Sequence, residues 1–416
     1  MGKQKLVMVG NGMAGVKTLE ELLKQAPGGF DITVFGAEPH GNYNRILLSP
    51  VLAGEMSVAE IMLNDLDWYR THGITLHAGC AVVAIDRARR VVRAAGEGGA
   101  MIEAPYDRLL LATGSCPHRP PVPGSELPGV LAYRDIADTE AMIAAARQHR
   151  HAVVVGAGLL GLEAANGLAR RGMAVTVVHL GGWIMDRQLD RAAAELLQTA
   201  LEARGMQFRL RARTAAFVAG ADGRVAALRL DDGVELPAGL VVVAAGVRPN
   251  SALAEAAGLH CERGIVVNDT LQSVTDPRIY AVGECVSHRG TAYGLVAPLF
   301  EQARVCANHL AGHGIGRYQG SVTATRLKVT GIEVFSAGAF MGGEDCDEIV
   351  LHDPAAGIYK KLVVKDDRLA GAVMVGDTAD GAWFFELVRE GRALGAIRDR
   401  LMFGRGFAES ALAPAA

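Results

Sequence analysis

Two glycine motifs of the pattern GxGxxG lie 146 residues apart in the chain, at residues 10–15 and 156–161. The spaced glycines are Gly10, Gly12 and Gly15 in the first motif, and Gly156, Gly158 and Gly161 in the second. In such a motif the first glycine permits a tight turn, the second lets the backbone approach a pyrophosphate, and the third lets a helix pack on a strand. The pattern predicts two dinucleotide sites in one chain, which is what moving electrons from one dinucleotide to another requires.

Each motif stands between an apolar run and a helix-like segment, which is the context that this chemistry needs. Residues 5–9 and 152–155 are the apolar runs, and each predicts a strand. The helix that follows offers unpaired N–H groups and the positive end of its dipole to a phosphate. A glycine-rich turn without a ligand is the alternative for one such motif, but two motifs in this context favour binding.

The residue that ends the second strand of each module would approach an adenosine ribose. In the first module residues 31–35 predict this strand, and Glu38 follows 23 residues beyond Gly15, near the spacing expected for a ribose-binding acid. A surface turn is the alternative for Glu38. In the second module residues 174–178 predict the strand, which ends at His179. Histidine is neither the carboxylate that binds the ribose hydroxyls of NADH nor the arginine that binds the 2′-phosphate of NADPH. The choice between NADH and NADPH therefore stays open, with NADH slightly favoured.

The chain also repeats a buried strand that ends in a glycine turn. Residues 106–114 read as such a strand and end in Thr113 and Gly114. Residues 240–246 repeat the pattern and end in Gly246, which supports two similar nucleotide-binding modules. A further apolar strand, residues 279–282, delivers the pair Gly283 and Glu284.

Composition excludes several classes of function. The 42 Lys and Arg against 45 Asp and Glu give a net charge of -3, which argues against a nucleic-acid partner, as do 5% aromatic residues. No apolar run approaches about 18 residues, and the first strand begins by residue 5, so we expect no membrane span, no signal peptide and a cytoplasmic protein. No two of the six cysteines are closer than 21 residues, which argues against metal sites and against a disulfide between neighbouring cysteines.

The order of these signals resembles the pyridine nucleotide-disulfide reductases, flavoproteins that bind two dinucleotides. The first motif, the Ala-Thr-Gly turn, the second motif and the final Ala-x-Gly-acid follow one another over about residues 5–310. Within the family the chain is similar to the rubredoxin and ferredoxin reductases, and most of all to the N-terminal flavoprotein part of NAD(P)H nitrite reductase large subunits. The stretches that carry this likeness are residues 43–49, 185–190, 327–331 and 334–338.

The resemblance implies an α/β fold with two Rossmann-like domains, the NAD(P) domain inserted in the FAD domain, and a small C-terminal α+β domain. We expect residues 1–116 and 246–318 to form the FAD domain and residues 117–245 the NAD(P) domain. Residues 319–416 would form a C-terminal interface domain. The proline-rich stretch 117–128 has the composition of a linker.

The resemblance also assigns the cofactor contacts, with no catalytic side chain and no metal ligand. FAD would contact Gly10, Gly12, Ala14, Gly15, Glu38, Arg45, Thr113, Gly114, Gly283, Glu284 and Glu301. NAD(P)H would contact Gly156, Gly158, Gly161, Glu163 and His179, and Val82 and Gly246 are further implied cofactor contacts. Glu284 would hydrogen-bond the ribitol, Arg45 and Glu301 would lie near the isoalloxazine, and Glu163 near the nicotinamide. A first-turn helix acid is the alternative for Glu163, and a turn residue for Glu284.

The implied reaction is hydride transfer from NAD(P)H to the flavin, followed by single-electron transfer to an external iron–sulfur, rubredoxin or nitrate/nitrite reductase protein. We expect the electron-transfer component of nitrate or nitrite assimilation. The alternatives are a rubredoxin or ferredoxin reductase of another pathway and a flavin redox sensor without turnover; a homodimer is left open. Two departures matter: Pro50 stands where the rubredoxin-reductase branch has a lysine, and residues 49–51 lack a redox cysteine, which disfavours thiol chemistry.

Overall fold

The computed structural model describes residues 3–329 and 331–410, in which two similar β–α runs precede a mainly antiparallel C-terminal part. The first fourteen strands are β1 (Gln4–Val9), β2 (Phe30–Gly36), β3 (Asn42–Tyr43), β4 (Met62–Asn64), β5 (Ile74–Ala78), β6 (Ala81–Asp86), β7 (Val91–Ala95), β8 (Met101–Pro105), β9 (Arg108–Leu111), β10 (Ser115–Pro117), β11 (Val130–Leu131), β12 (His151–Val155), β13 (Ala174–His179) and β14 (Gln207–Leu210). The later strands are β15 (Thr214–Ala219), β16 (Val225–Leu230), β17 (Glu235–Pro237), β18 (Leu240–Val243), β19 (Val247–Pro249), β20 (Ile265–Val267), β21 (Ile279–Ala281), β22 (Val286–His288), β23 (Ala324–Val329), β24 (Ile332–Gly338), β25 (Asp347–Asp353), β26 (Ile358–Lys365) and β27 (Arg368–Val375).

Helices connect these strands. The α-helices are α1 (Met13–Gln25), α2 (Leu48–Ala53), α3 (Leu66–Thr71), α4 (Ile136–Gln148), α5 (Leu159–Arg170), α6 (Arg191–Glu202), α7 (Ala252–Ala256), α8 (Val296–Leu310), α9 (Gly381–Glu390) and α10 (Arg405–Glu409). Short 3₁₀ helices span Arg45–Leu47, Ala59–Ile61, Glu97–Gly99 and Gly395–Phe403. Within the described residues, no helix combines the length and the apolar character that a membrane span needs.

The chain divides into two units, each made of separated stretches. Unit 1 comprises, in its described part, residues 3–48, 56–117 and 247–321. Unit 2 comprises residues 49–55 and 118–246 together with the described residues from 322 onward. The C-terminal residues thus belong to the same unit as the second glycine motif. The predicted three-domain boundaries stay a prediction.

The first glycine motif follows β1, the central strand of a parallel sheet in unit 1. The strand order is β21-β9-β1-β2-β5, and every neighbouring pair is parallel. The central strands are buried because both faces of a parallel sheet are covered, which explains the continuous apolar runs of β1 and β9. Strands β6, β7 and β8 form a separate antiparallel meander in the same unit.

Unit 2 repeats this design around the second motif. Its parallel sheet has the order β11-β18-β12-β13-β14, so the motif-bearing strand β12 occupies the place that β1 occupies in unit 1. An antiparallel meander of β15, β16 and β17 matches the β6–β8 meander. The repeated topology confirms the predicted α/β fold with two Rossmann-like sheets.

The proline-rich stretch is bonded into unit 2. Phe217 N–H donates to the Pro123 carbonyl at 2.9 Å, and Val225 N–H donates to the Pro128 carbonyl at the same distance. Both donors lie on the β15–β17 meander. The backbone of this stretch therefore forms part of the unit, where its composition predicted a linker.

A five-stranded antiparallel sheet, β23-β24-β27-β26-β25, forms the C-terminal part of unit 2, as the α+β prediction requires. Thr330 of the stretch 327–331 and residues 411–416 lie outside the described residues. Helix α9 covers one face, where Phe335, Met374, Trp383 and Phe384 belong to one buried cluster.

Strand β26 carries a buried polar cluster as well. Lys361 is 6% exposed, and its Nζ lies 2.7 Å from Glu348 and 3.6 Å from Asp190. The Tyr359 hydroxyl donates to Asp190 Oδ2 at 2.7 Å, while Asp190 Oδ1 accepts the Ala193 N–H and caps α6. One carboxylate therefore joins the C-terminal sheet to a helix of the second nucleotide module.

Candidate dinucleotide sites

The first glycine motif has two crowded glycines and one open glycine. Gly10 has φ +102°, and a Cβ there would overlap the Ala112 carbonyl. A Cβ on Gly15 would lie 2.9 Å from Ala112 Cβ and 3.0 Å from Met8 Sδ, so both glycines are required for packing. Gly12 precedes α1, and a Cβ there would meet nothing within 4 Å. Open space at a helix N-terminus is what a pyrophosphate needs, so the geometry at Gly12 is compatible with the predicted contact.

The strand β21 brings Gly283 to the same helix N-terminus. A Cβ on Gly283 would lie 3.1 Å from the Ala14 side chain, in the first turn of α1. The Gly283 N–H donates to Oε1 of the buried Gln302 at 2.9 Å, which fixes this turn against α8. The distant Ala-x-Gly-acid motif and the first GxGxxG motif therefore meet, as the resemblance implies.

Glu284 and the Thr113 turn are also held within unit 1. The Ser115 hydroxyl donates to Glu284 Oε2 at 2.8 Å. The Thr113 hydroxyl donates to the Asn250 carbonyl at 2.7 Å, and the Asn250 N–H donates to the Gly114 carbonyl at 2.9 Å. These bonds fix the chain after β9, where Gly114 has φ +68°.

Glu38 lies beyond the end of β2 and is bound by two side chains. The Tyr43 hydroxyl donates to Oε2 and an Arg45 guanidinium nitrogen donates to Oε1, both at 2.7 Å. The guanidinium also lies over the Tyr43 ring, 5.2 Å from its centroid. The resemblance assigned Arg45 to the isoalloxazine and Glu38 to the ribose at the other end of FAD. The structure instead pairs the two side chains with each other, just beyond the end of β2.

Val82 and Glu301 are the two remaining predicted cofactor contacts of unit 1, and in the described part of the chain neither bonds to the other predicted contacts. Val82 is half-buried on β6, opposite Ala94 of β7. Glu301 is exposed on α8 and accepts the Ser321 hydroxyl at 2.5 Å. Their contacts with a cofactor stay a prediction.

The second motif repeats the geometry of the first. Gly156 has φ +113°, and a Cβ there would lie 2.8 Å from the Ala244 carbonyl carbon, while a Cβ on Gly161 would overlap the Gly156 carbonyl oxygen. Gly158 precedes α5 and faces open space, as Gly12 does. Gly246 has φ +101° and faces open space too. Two independent glycine triplets thus leave the same central position free.

Glu163 is the fifth residue of α5, so the alternative of a first-turn acid does not fit. The Ser49 hydroxyl donates to Glu163 Oε2 at 2.7 Å, and the hydroxyl of the buried Tyr133 donates to Ser49 Oγ at 3.2 Å. Burial raises the pKa of Glu163, and the hydrogen bond from Ser49 only partly opposes this shift. Burial likewise raises the pKa of Tyr133. The three residues form a chain of hydrogen bonds with a carboxyl group at one end.

His179 is the last residue of β13, and its ring is held by the second motif. The Ala157 N–H donates to His179 Nδ1 at 3.3 Å. Because Nδ1 accepts this bond, the proton of the neutral imidazole is on Nε2.

Sequence reasoning did not identify Tyr43, Ser49, Tyr133 and Asp186. Tyr43 donates to Glu38, Ser49 donates to Glu163 and Tyr133 donates to Ser49, while Asp186 Oδ2 lies 3.4 Å from His179 Nε2. Tyr43 and Ser49 lie within one of the stretches that carry the family likeness, and Asp186 lies in another, so a signal existed for these three. Tyr133 had none, since it is 84 residues from its partner Ser49.

The six cysteines differ in exposure: Cys80, Cys285 and Cys306 are buried, whereas Cys116 is exposed. All lie within the described residues and none forms a disulfide. Burial raises the pKa of Cys285 and Cys306, and it raises the pKa of Cys261 to about 11. Thiols with raised pKa values are poor nucleophiles at neutral pH.

Comparison with known proteins gives relatives over nearly the whole chain. The chain is 50% identical over 390 residues to the nitrite reductase (NAD(P)H) of Bacillus subtilis, across 94% of this chain and 48% of that protein. It is 48% identical over 380 residues to the assimilatory nitrate reductase electron transfer subunit of Bacillus subtilis, across 91% and 48%. The chain thus spans about half the length of these relatives. The crystal structure of the covalent putidaredoxin reductase–putidaredoxin complex matches with a TM-score of 0.83 and 27% identity, covering 94% of each chain.

Two family models match consecutive parts of the chain. Residues 4–309 match the pyridine nucleotide-disulphide oxidoreductase model, and residues 324–392 match the C-terminal domain of rubredoxin NAD⁺ reductase. The predicted resemblance and the predicted cofactors are thereby confirmed at the level of the family. The chain belongs to the pyridine nucleotide-disulphide oxidoreductases, NAD(P)H-dependent reductases that bind FAD and NAD(P)H.

Proposed function

We propose that this protein passes electrons from NAD(P)H through FAD to a separate redox protein, in the assimilation of nitrate or nitrite. The observation that carries the proposal is the repeated module, in which Gly12 and Gly158 each leave open space at a helix N-terminus. The names of the two Bacillus subtilis relatives support the pathway, and the chain matches about half of each.

We assign FAD to the first module. Gly12 would face its pyrophosphate, while Ala14 and Gly283 would line the adjoining wall, where a Cβ on Gly283 would lie 3.1 Å from the Ala14 side chain. Glu284 would reach the ribitol from the turn that Ser115 fixes. Because Arg45 pairs with Glu38, we place both at the adenosine end of FAD, and Glu301 remains our candidate near the isoalloxazine.

The second module would hold NAD(P)H through Gly158 and the N-terminus of α5. When bound, the flavin accepts a hydride from the nicotinamide and releases the electrons one at a time. Glu163 would approach the nicotinamide end, held in place by Ser49 and Tyr133. Pro50 stands where the rubredoxin-reductase branch has a lysine, and the neighbouring Ser49 donates a hydrogen bond to Glu163.

The electrons must then leave the chain, because residues 49–51 carry no cysteine and the six thiols are scattered. We expect an iron–sulfur protein, a rubredoxin or the nitrate/nitrite reductase itself as acceptor. A rubredoxin or ferredoxin reductase of another pathway is the second candidate, favoured by the match of residues 324–392 to a rubredoxin reductase domain.

Anaerobic stopped-flow absorbance of the purified, FAD-loaded protein tests the proposal. Mixing with NADH or NADPH should bleach the flavin within seconds, and a single-electron acceptor protein should restore its colour. Adding a ferredoxin, a rubredoxin or a sirohaem nitrite reductase in parallel would separate the two candidates. A flavin that stays oxidised for minutes with both nucleotides would contradict the proposal and favour a redox sensor.

A further inference from the structure

The end of strand β13 carries an imidazole whose second nitrogen has no hydrogen-bond partner. His179 Nδ1 is occupied by the Ala157 N–H, so Nε2 carries the proton. Nε2 is buried and has no hydrogen-bond partner among the described residues. It lies 3.4 Å from Asp186 Oδ2, which is an ion-pair separation without hydrogen-bond geometry. The buried Nε2–H therefore still lacks an acceptor within the described chain, and a bound ligand would supply one.

The loop that carries Asp186 is fixed to the same residue of the second motif. The N–H of the buried Met185 donates to the Ala157 carbonyl at 2.9 Å, and Met185 adopts the left-handed region with φ +51°. The peptide groups of Ala157 therefore hold His179 through the N–H and the Asp186 loop through the carbonyl. Both side chains are positioned by the backbone that would bind the pyrophosphate.

Gly181 provides the room that brings the two side chains together. A Cβ at this position would overlap Asp186 Oδ2 and lie 2.6 Å from His179 Nε2. Any larger residue would have to push Asp186 or His179 out of place. The glycine thus preserves a small polar niche at the end of β13, where a Rossmann-like module binds the adenosine ribose.

We infer that Asp186 and His179 together bind the adenosine ribose of the nicotinamide dinucleotide and select NADH over NADPH. The ribose hydroxyls would accept a hydrogen bond from His179 Nε2 and donate to the Asp186 carboxylate. This replaces the single acid that usually ends the second strand with a donor on the strand and an acceptor from the following loop. The inference rests on the proposed binding of NAD(P)H to the second module.

Charge gives the selection its direction. The Asp186 carboxylate would repel the dianionic 2′-phosphate of NADPH, as a built-in obstacle to the wrong ligand. Arg211 lies across the loop: its N–H donates to the Gly181 carbonyl at 3.0 Å, and its exposed guanidinium approaches within 3.5 Å of a Cβ placed on Gly182. Removal of Asp186 would leave this cation to attract the 2′-phosphate.

Calorimetric titration of the FAD-loaded protein with ADP-ribose and with 2′-phospho-ADP-ribose tests the inference without requiring turnover. The wild type should bind ADP-ribose more tightly. Asp186→Ala should reduce the ratio of the two affinities at least tenfold, and Asp186→Ala combined with Arg211→Ala should lose part of that change. His179→Ala should weaken ADP-ribose without favouring the phosphate. Asp222→Ala, on an exposed turn of the same unit, is the matched control and should leave the ratio unchanged.

Equal binding of the two ligands by the wild type, tighter binding of the phosphate, or an unchanged ratio in Asp186→Ala would overturn the inference. Thermal unfolding of each variant shows whether it is folded. Asp186→Asn removes the charge at nearly equal side-chain volume, and it should shift the ratio of the two affinities in the same direction as Asp186→Ala. Failure of the proposed function has a different signature, since the flavin would then stay oxidised with NADH and with NADPH, whatever their binding ratio.

Discussion

Asp190 joins helix α6 to strand β26, so its replacement should destabilise unit 2 by more than the loss of a helix cap. Its Oδ1 caps α6 by accepting the Ala193 N–H at 3.1 Å, and its Oδ2 accepts the Tyr359 hydroxyl at 2.7 Å. Lys361 lies 3.6 Å from the same oxygen but keeps Glu348 at 2.7 Å. We therefore expect Asp190→Ala to remove the cap and the tyrosine bond while Lys361 remains paired.

The magnitude follows from these two losses. A helix N-cap contributes about 1 kcal/mol, and a buried hydroxyl left without its partner costs about 2 kcal/mol, which gives about 3 kcal/mol for Asp190→Ala. For a unit of this size each kcal/mol lowers Tm by roughly 2–4 °C, so we expect a decrease of about 6–12 °C in the transition of unit 2.

Calorimetric thermal unfolding measures this shift, and Asp135→Ala is the matched control. Asp135 caps α4 in the same unit by accepting the Asp138 N–H at 2.8 Å. Its replacement should cost about 1 kcal/mol, the cap alone. Tyr359→Phe should remove the bond to Asp190 with the cap intact, at about 1 kcal/mol. Equal Tm decreases in Asp190→Ala and Asp135→Ala would refute the reasoning, because Asp190 would then act only as a cap.

Three further predictions concern the proposed cofactor chemistry. Because the pKa of Glu163 is raised in the folded chain above its ordinary value of 4.5, the folded state holds this proton more tightly, and stability is lost as pH rises through the raised value. Above about pH 4.5, the Tm of Glu163→Gln should therefore fall less steeply with pH than the Tm of the wild type. Scanning fluorimetry in a pH series measures both slopes, and equal slopes in the two proteins would contradict the prediction. Gly12→Ala should fold normally but bind FAD about tenfold more weakly, which fluorescence titration would measure. Gly10→Ala should instead lower Tm, because the strained backbone costs about 1–3 kcal/mol. Equal FAD affinity in Gly12→Ala and the wild type would argue against an FAD pyrophosphate in the open space at Gly12. Replacing Cys80 and Cys285 by alanine should leave the rate of flavin reduction by NADH nearly unchanged, and a large loss of rate in a folded variant would restore thiol chemistry.

Local patterns predicted the framework of the molecule well. The glycine motifs and apolar strands are set by neighbouring residues, so residues 5–9 and 152–155 correspond closely to β1 and β12. The fold class followed because the same strand–turn–helix pattern occurs twice. These features depend on backbone geometry within a few residues, which a single sequence reveals.

Side-chain partners were harder to predict, because tertiary structure brings distant residues together. Ser49 meets Glu163 from 114 positions away, and nothing local to either residue indicates the other. The adjacent lysines of β26 suggest one solvent-facing side chain, yet Lys360 and Lys361 are both almost fully buried. The pairing of Arg45 with Glu38, only seven residues apart, was missed for another reason: the family resemblance had already assigned the two residues to opposite ends of FAD.

The interleaving of the two units along the chain has a consequence for biosynthesis. Ser49 leaves the ribosome 114 residues ahead of Glu163, which at ordinary translation rates is on the order of ten seconds. Until residue 118 is reached, residues 49–55 are tethered to a nascent unit 1 while no other part of unit 2 has been made. Unit 1 in turn waits for residues 247–321 before β21 can complete its sheet. A fragment spanning residues 118–246 would contain Tyr133 and Glu163 without the hydroxyl that links them.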